Sequence, residues 1–288
     1  MTKSRITLLA TVVSIMLAAC YAASATLTNP YDVLNRHFEA NGGLERLKAE
    51  RSQHILGTIA VAGLKGTIEV WSQLPDRSRA NVDLGVIKAV QGDNGEYQWG
   101  MDQSGKVQKA TKQDEASIKR RKVKRLMAEY EYANPKSDVF KVTLAGVEKV
   151  DDRDCYVLRI TNNMNADVYT SYIDTGTFML AKNAATEGED RAETLYGDYR
   201  KVAGIMVAFS TKQTSLNSGQ VQEMTITSYE SNPQVDPSLF EPPVQASKDY
   251  RFTSGASAEN IPFEFIGNHI FLPVVVACKE RTWVLDTG

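Results

Sequence analysis

The chain has 288 residues, 42% of them hydrophobic and 24% charged, with a formal net charge of -2. That is room for one large domain or two with an ordinary core, and the charge balance gives no reason to expect nucleic-acid binding. The three cysteines cannot build a disulfide framework, and the three histidines lack ligand spacing, so neither a metal nor another cofactor is expected.

The start reads as an export signal over residues 1–25: basic Lys3 and Arg5, an apolar run from Ile6 to Leu17, then small residues. The apolar run is too short for a membrane span. Leu17-Ala18-Ala19-Cys20 matches the bacterial lipobox, which would make Cys20 a lipidated anchor; Ala23-Ser24-Ala25 offers a competing cleavage site that would release the protein. Either way an exported, periplasmic or outer-membrane-anchored protein is expected.

Asn29-Pro30 predicts a helix start, with Asn as cap and Pro at the first helical position. Tyr31, Leu34, His37 and Phe38 recur at helical spacing until Asn41-Gly42-Gly43, and Leu44 to Lys48 predicts a short second helix. His37 is expected on the helix surface and His54 at a strand start. From Gln53 to Gln108 the pattern alternates as strands, punctuated by Pro75-Asp76 and Gly92-Asp93-Asn94-Gly95. Thr111 to Tyr132 predicts the main helix, with Thr111 and Asp114 as a capping box and Val123, Leu126, Met127 and Tyr130 as its apolar stripe.

Its basic run, Lys119 to Lys122 with Lys124 and Arg125, is expected to be a solvated helix face. Contact with anionic lipid headgroups, at about 1 kcal/mol per residue, is the alternative. Strands resume from Val139 to Tyr229, and sequential strands with short turns predict an antiparallel sheet. Trp71, Trp99 and the tyrosines could line an apolar cavity or fill the sheet core. Cys155 is expected to pack as a small apolar residue and Cys278 to lie exposed in a turn. The Pro/Ser/Ala-rich stretch from Pro237 to Ser257, tethered by Phe240, reads as a linker.

Near the end, an apolar strand, a polar turn and a second apolar strand lead into Asp286-Thr287-Gly288. That tripeptide suits an aspartic protease loop: Asp supplies a carboxylate that shares a proton with a second one, Thr a locking hydroxyl, and Gly a sharp turn. Asp174-Thr175-Gly176 is an internal control, because it continues directly into another strand as a tight hairpin would.

Two resemblances follow. Residues from Pro30 to Pro243 resemble the outer-membrane lipoprotein-sorting, or LolA/LolB-like, proteins. The likeness is carried by Asn41-Gly42-Gly43-Leu44-Glu45-Arg46-Leu47, Gly57, Pro75-Asp76-Arg77, Gly92-Asp93-Asn94-Gly95 leading to Trp99, and the segment from Asp236 to Pro242. It implies an α+β fold, a curved antiparallel half-barrel with covering helices, whose concave face holds acyl chains or lipoproteins. Residues from about Ile261 onward resemble the opening of a retropepsin-like bacterial aspartyl protease, through the Ile261 to Phe265 entry strand and the hairpin before Asp286. The expected layout is a signal peptide (1–25), a LolA-like domain (26–243), a linker (244–260) and the first strands of an all-β protease domain (261–288).

The leading functional expectation is peptide hydrolysis by Asp286 in an intact parent whose protease domain dimerises, with this piece itself inactive for want of a second carboxylate. The alternative is a periplasmic carrier or binding module for acyl chains or lipoproteins, without catalysis.

Overall fold

The computed structural model describes residues 27–102, 105–243 and 259–285. Helix α1 (Pro30–Ala40) starts where the sequence places it: Asn29 Oδ1 accepts from the Tyr31 amide at 2.9 Å. Gly42 and Gly43, at φ of 109° and 98°, make the left-handed turn into α2 (Leu44–Ala49), a conformation open to glycine but strained for other residues. Gly42 is also pressed on the Gly204 carbonyl, which leaves no room for a Cβ.

The strands β1 (Ser52–Val61), β2 (Leu64–Gln73), β3 (Arg77–Asp83), β4 (Lys88–Asn94), β5 (Gln98–Met101) and β6 (Val107–Lys109) precede α3 (Glu115–Ala128). After it come β7 (Phe140–Val150), β8 (Arg153–Asn162), β9 (Val168–Asp174), β10 (Leu180–Glu187), β11 (Asp190–Val202), β12 (Ile205–Ser215) and β13 (Val221–Ser231). Together these form one curved antiparallel sheet of 13 strands, ordered β6-β5-β4-β3-β2-β1-β13-β12-β11-β10-β9-β8-β7. Each neighbour is also the next strand in sequence, except where β1 meets β13. Two-residue turns with positive φ at Ala62-Gly63 and Ala203-Gly204 match the right-handed twist of the strands they join.

Cross-strand partners share a face, which separates the two sides of the sheet. Ile55, Gly57 and Ile59 lie opposite Val70, Ile68 and Gly66 on the inner, helix-bearing face, while His54 and Leu56 pair with Trp71 and Glu69 outside. The main core sits under the helices. Val33, Leu34 and Phe38 of α1 and Val123 of α3 pack with Phe140, Val142, Tyr156, Leu158, Ile160, Tyr169 and Ile173.

Helix α3 is shorter than the predicted span. Asp114 is its cap, accepting from the Ser117 amide at 2.7 Å, whereas the Ala110 amide is tied to Gln98 of the sheet edge. Thr111 is therefore held outside the helix and makes no capping box. At the other end Tyr130 turns left-handed, with φ of 59°, into a separate 3₁₀ turn, Glu131–Ala133.

His37 also differs from expectation. It is half-buried, and its Nδ1 donates to the Phe178 carbonyl at 2.8 Å. Burial holds its pKa below the ordinary 6.5, outweighing that hydrogen bond. The unfolded chain therefore takes up this proton before the folded one does, so the stability conferred by neutral His37 is complete above 6.5 and is lost as pH falls below it. The His37→Gln variant should show a flatter fall of the urea midpoint between about pH 7.5 and 5.5; equal slopes in the two proteins would reject this role.

A second, three-stranded sheet follows, ordered β14-β15-β16: β14 (Glu264–Ile266), β15 (His269–Val276) and β16 (Lys279–Leu285). Its hairpin pattern was legible. Pro237–Phe240 forms a 3₁₀ turn whose Phe240, the expected tether, is fully buried, and residues 244–258 of the expected linker lie outside the described residues.

Candidate functional site

Lys119, Lys122, Lys124 and Arg125 of the basic run on α3 are exposed, as expected of a solvated face, whereas Arg120 and Arg121 turn toward the sheet. Arg121 lays its fork on Asp93 of β4, with Nη1 to Oδ1 at 2.8 Å and Nη2 to Oδ2 at 3.0 Å. All three of Arg121, Asp93 and Asp76 are about 15% exposed or less, the arginine at 15% and each aspartate at 14%. Arg125 donates through Nε to Asp76 and through Nη2 to the Gly95 carbonyl at 2.7 Å. Lys124 meets Glu187 at 2.8 Å on the other flank. A row of ion pairs thus fastens α3 across the inner face, from the β2–β3 turn and β4 to β10.

Between α3 and the sheet lies a cavity of about 450 Å³. Its floor is a single cross-strand row, Ser72, Ser78, Asp93 and Gln98, each directly opposite the next on β2, β3, β4 and β5. One step inward along the strands the row becomes Val70, Ala80, Gln91 and Gly100, and one step further it becomes Ile68, Val82 and Ala89. Same-face residues on a strand are roughly 7 Å apart. The surface therefore passes from polar to largely apolar within a short distance of the cavity. Arg77, Lys112, Arg120, Arg121 and Lys124 bring positive charge to its walls.

Neither tryptophan of the large sheet lines this cavity. Trp71 stacks on His54 at 3.6 Å between ring centroids on the outer face. Glu69 beside them is held below the ordinary carboxylate range, first by the hydrogen bond from Asn81 and then by those from His54 and Trp71. Trp99 is buried on the outer face against the Pro237–Phe240 turn, with Nε1 donating to the Phe240 carbonyl at 2.8 Å. Cys155 is fully buried and Cys278 exposed, each as expected.

Asp174 is a turn residue. Its Oδ1 accepts from the Gly176 amide at 3.0 Å, the Thr177 amide at 2.7 Å and the Thr177 hydroxyl at 2.9 Å. Asp286, Thr287 and Gly288, the proposed protease loop, and Cys20, the proposed lipidation site, lie outside the described residues. Among the described residues no cluster of His, Cys, Asp or Glu is arranged to hold a metal ion, and no helix is long and apolar enough to cross a membrane.

The site residues that sequence reasoning missed are Asp76, Asp93, Ser72, Ser78 and Gln98. In the sequence Asp76 and Asp93 stand out as hairpin punctuation and as parts of the LolA-like motifs, not as partners of α3. What marks them is their recurrence at successive hairpin ends, opposite a helix with arginines spaced four apart at Arg121 and Arg125.

No family model matches the chain, and no curated protein matches it. Solved structures similar to it include a DUF1329 family protein from Desulfovibrio piger, with 14% identity over 74% of this chain and 98% of that one and a TM-score of 0.47. A LolA superfamily protein from Nitrosomonas europaea gives 14% identity over 75% and 98%, with a TM-score of 0.47. A domain named for outer membrane lipoprotein sorting, from Vibrio parahaemolyticus, gives 10% identity over 73% and 95%, with a TM-score of 0.46.

These structures correct the leading functional expectation. They carry DUF1329, LolA and lipoprotein-sorting names, and none of the three is named a peptidase, so peptide hydrolysis does not stand as the function. A D-T-G tripeptide behind an alternating strand is common hairpin chemistry, as Asp174-Thr175-Gly176 demonstrates in this same chain.

Proposed function

We propose that this chain is an exported binding module of the bacterial cell envelope that holds an acyl chain or a similar apolar ligand, without catalysis. The observation that carries it is the cavity of about 450 Å³ under α3, whose floor at Ser72 and Ser78 adjoins the row of Val70 and Ala80 on the same face of the sheet. Its volume falls in the range of small-molecule sites, roughly 300–1,000 Å³. A lipid anchor on Cys20 and the layout of a binding unit over 26–243, a linker over 244–260 and a second unit over 261–288 belong to the same proposal.

The test is titration of the full chain with the neutral fluorescent probe N-phenyl-1-naphthylamine. Saturable enhancement, reversed by decanol, is the expected result. The Ser78→Trp variant, which places an indole on the cavity floor, should weaken binding by about tenfold, or 1.4 kcal/mol, while leaving the far-UV circular dichroism intact. A linear, non-saturable signal, or one that the substitution leaves unchanged, would refute the reading.

A further inference from the structure

We infer that the cavity under α3 receives the acidic head of an amphiphile, a carboxylate or a phosphate monoester, while its tail runs inward over the apolar rows. This rests on the binding reading above and adds the chemistry of the head. The walls carry Arg77, Lys112, Arg120, Arg121 and Lys124 against only Asp76 and Asp93, in a chain whose net charge is -2. Positive charge is thus gathered at one concave place on a protein that is slightly negative overall, which raises the local concentration of anions.

The existing ion pairs do not cancel this excess. Arg121 is committed to Asp93, and Lys124 reaches Glu187 at 2.8 Å. Arg120 Nε lies 3.4 Å from Asp167 Oδ2 but is buried without a hydrogen bond. Lys112 has no ion pair or hydrogen bond among the described residues. Counting Asp167 and Glu187 with the lining acids, five cationic side chains still face four carboxylates.

Neutral donors complete the set. Ser78 and Gln98 line the same space, while the Ser72 hydroxyl already donates to Gln53 Oε1 at 3.2 Å and Gln113 Nε2 to the Glu96 carbonyl at 2.6 Å. Ser78 and Gln98 suit an oxygen-rich head. The floor fixes the direction of the tail, because the polar row at Ser72 and Ser78 gives way to Val70 and Ala80, then to Ile68 and Val82. An alcohol of the same chain length would gain the apolar rows but forfeit the charge-assisted hydrogen bonds.

The experiment displaces N-phenyl-1-naphthylamine from the full chain with decanol, decanoate and decyl phosphate at low salt. Decanoate or decyl phosphate should bind at least about tenfold more tightly than decanol. The two acids distinguish a carboxylate head from a phosphate one. The ratio to decanol should shrink in 0.5 M sodium chloride, as a charge-driven preference must. It should also shrink in Lys112→Gln, and further in Lys112→Gln/Arg120→Gln; the single variant changes one unpaired surface lysine and keeps the test valid if the double variant folds poorly. Equal displacement by decanol and both acids would overturn this inference and leave the apolar binding reading standing. Failure of decanol itself to displace the probe would overturn that reading too.

Discussion

Arg121→Met should cost about 3 kcal/mol of folding stability, measured as a drop in the urea-unfolding free energy at constant m-value. The residue is the fork that joins α3 to β4, and its removal leaves the Asp93 carboxylate 14% exposed without its cation. Asp93 would keep only the hydrogen bond from the Gly95 amide at 2.9 Å. Asp76 fares better, since Arg125 still holds it. The loss should therefore come mainly from Asp93, and Arg121→Met/Asp93→Asn should recover more than half of it. Breaking a largely buried pair strands a charge, whereas removing both charges does not. The recovery is the coupling energy of the pair, the quantity a double-mutant cycle isolates. Single-variant stability within about 0.5 kcal/mol of the parent, the scatter of ordinary surface substitutions, would return Arg121 to the solvated-face reading. A double variant no better than the single would place the cost in lost packing of the arginine stem instead.

That expectation could not have been written from the sequence. Helical periodicity shows which side of α3 is basic, but not what faces it. The partners of Arg121 and Arg125 lie 28 and 49 residues away, on strands whose turn residues draw attention for other reasons. Features that depend on a few neighbouring residues were legible. Asn29 and Pro30 start α1 by local capping, and the pattern from Gln53 onward marks β1 and β2 as strands. The antiparallel character of the sheet followed from short turns between consecutive strands. The pairing of β1 with β13, which sets the sheet order around its middle, joins Gln53 to Ser231 and leaves no mark in either strand. Where two local rules competed the sequence was ambiguous: Thr111 and Asp114 can both cap a helix, and the pairing of Ala110 with Gln98 decided between them. His37 misled because an exposed polar residue and one buried on a carbonyl occupy the same helical position. The protease reading misled because three residues fit a mechanism while the bulk of the chain had been assigned to a different fold.

Phe240→Ala should have the largest effect, a loss of about 3–5 kcal/mol, the usual range for truncating a fully buried phenylalanine. The ring has no exposed surface, and it lies on the outer face of the sheet, opposite α3. Its backbone carbonyl accepts from Trp99 Nε1 at 2.8 Å, and the neighbouring Leu239 carbonyl accepts from Arg79 Nη1 at 3.2 Å. Glu241 accepts from Asn94 Nδ2 at 3.1 Å, so the segment is fastened to β3, β4 and β5. Gly92 belongs to the same arrangement: a Cβ there would lie 2.6 Å from the Trp99 ring, so the indole can lie flat on the sheet only over a glycine. Without the Phe240 ring the turn loses its anchor, and the carbonyl that accepts from the indole is no longer held in place. A red shift of tryptophan emission should accompany the fall in stability. Trp99→Phe separates the two contributions: it keeps an aromatic ring over Gly92 but deletes the N–H, and should cost roughly 1–3 kcal/mol for the buried acceptor left unpaired. The β3–β5 floor beneath the cavity is the inner side of these same strands. Phe240→Ala should therefore also weaken N-phenyl-1-naphthylamine binding, although Phe240 stands on the opposite face from the ligand. A variant with near-parental stability, unshifted emission and unchanged probe affinity would show that the Pro237–Phe240 turn is an accessory to the sheet and not part of what holds the binding face in shape.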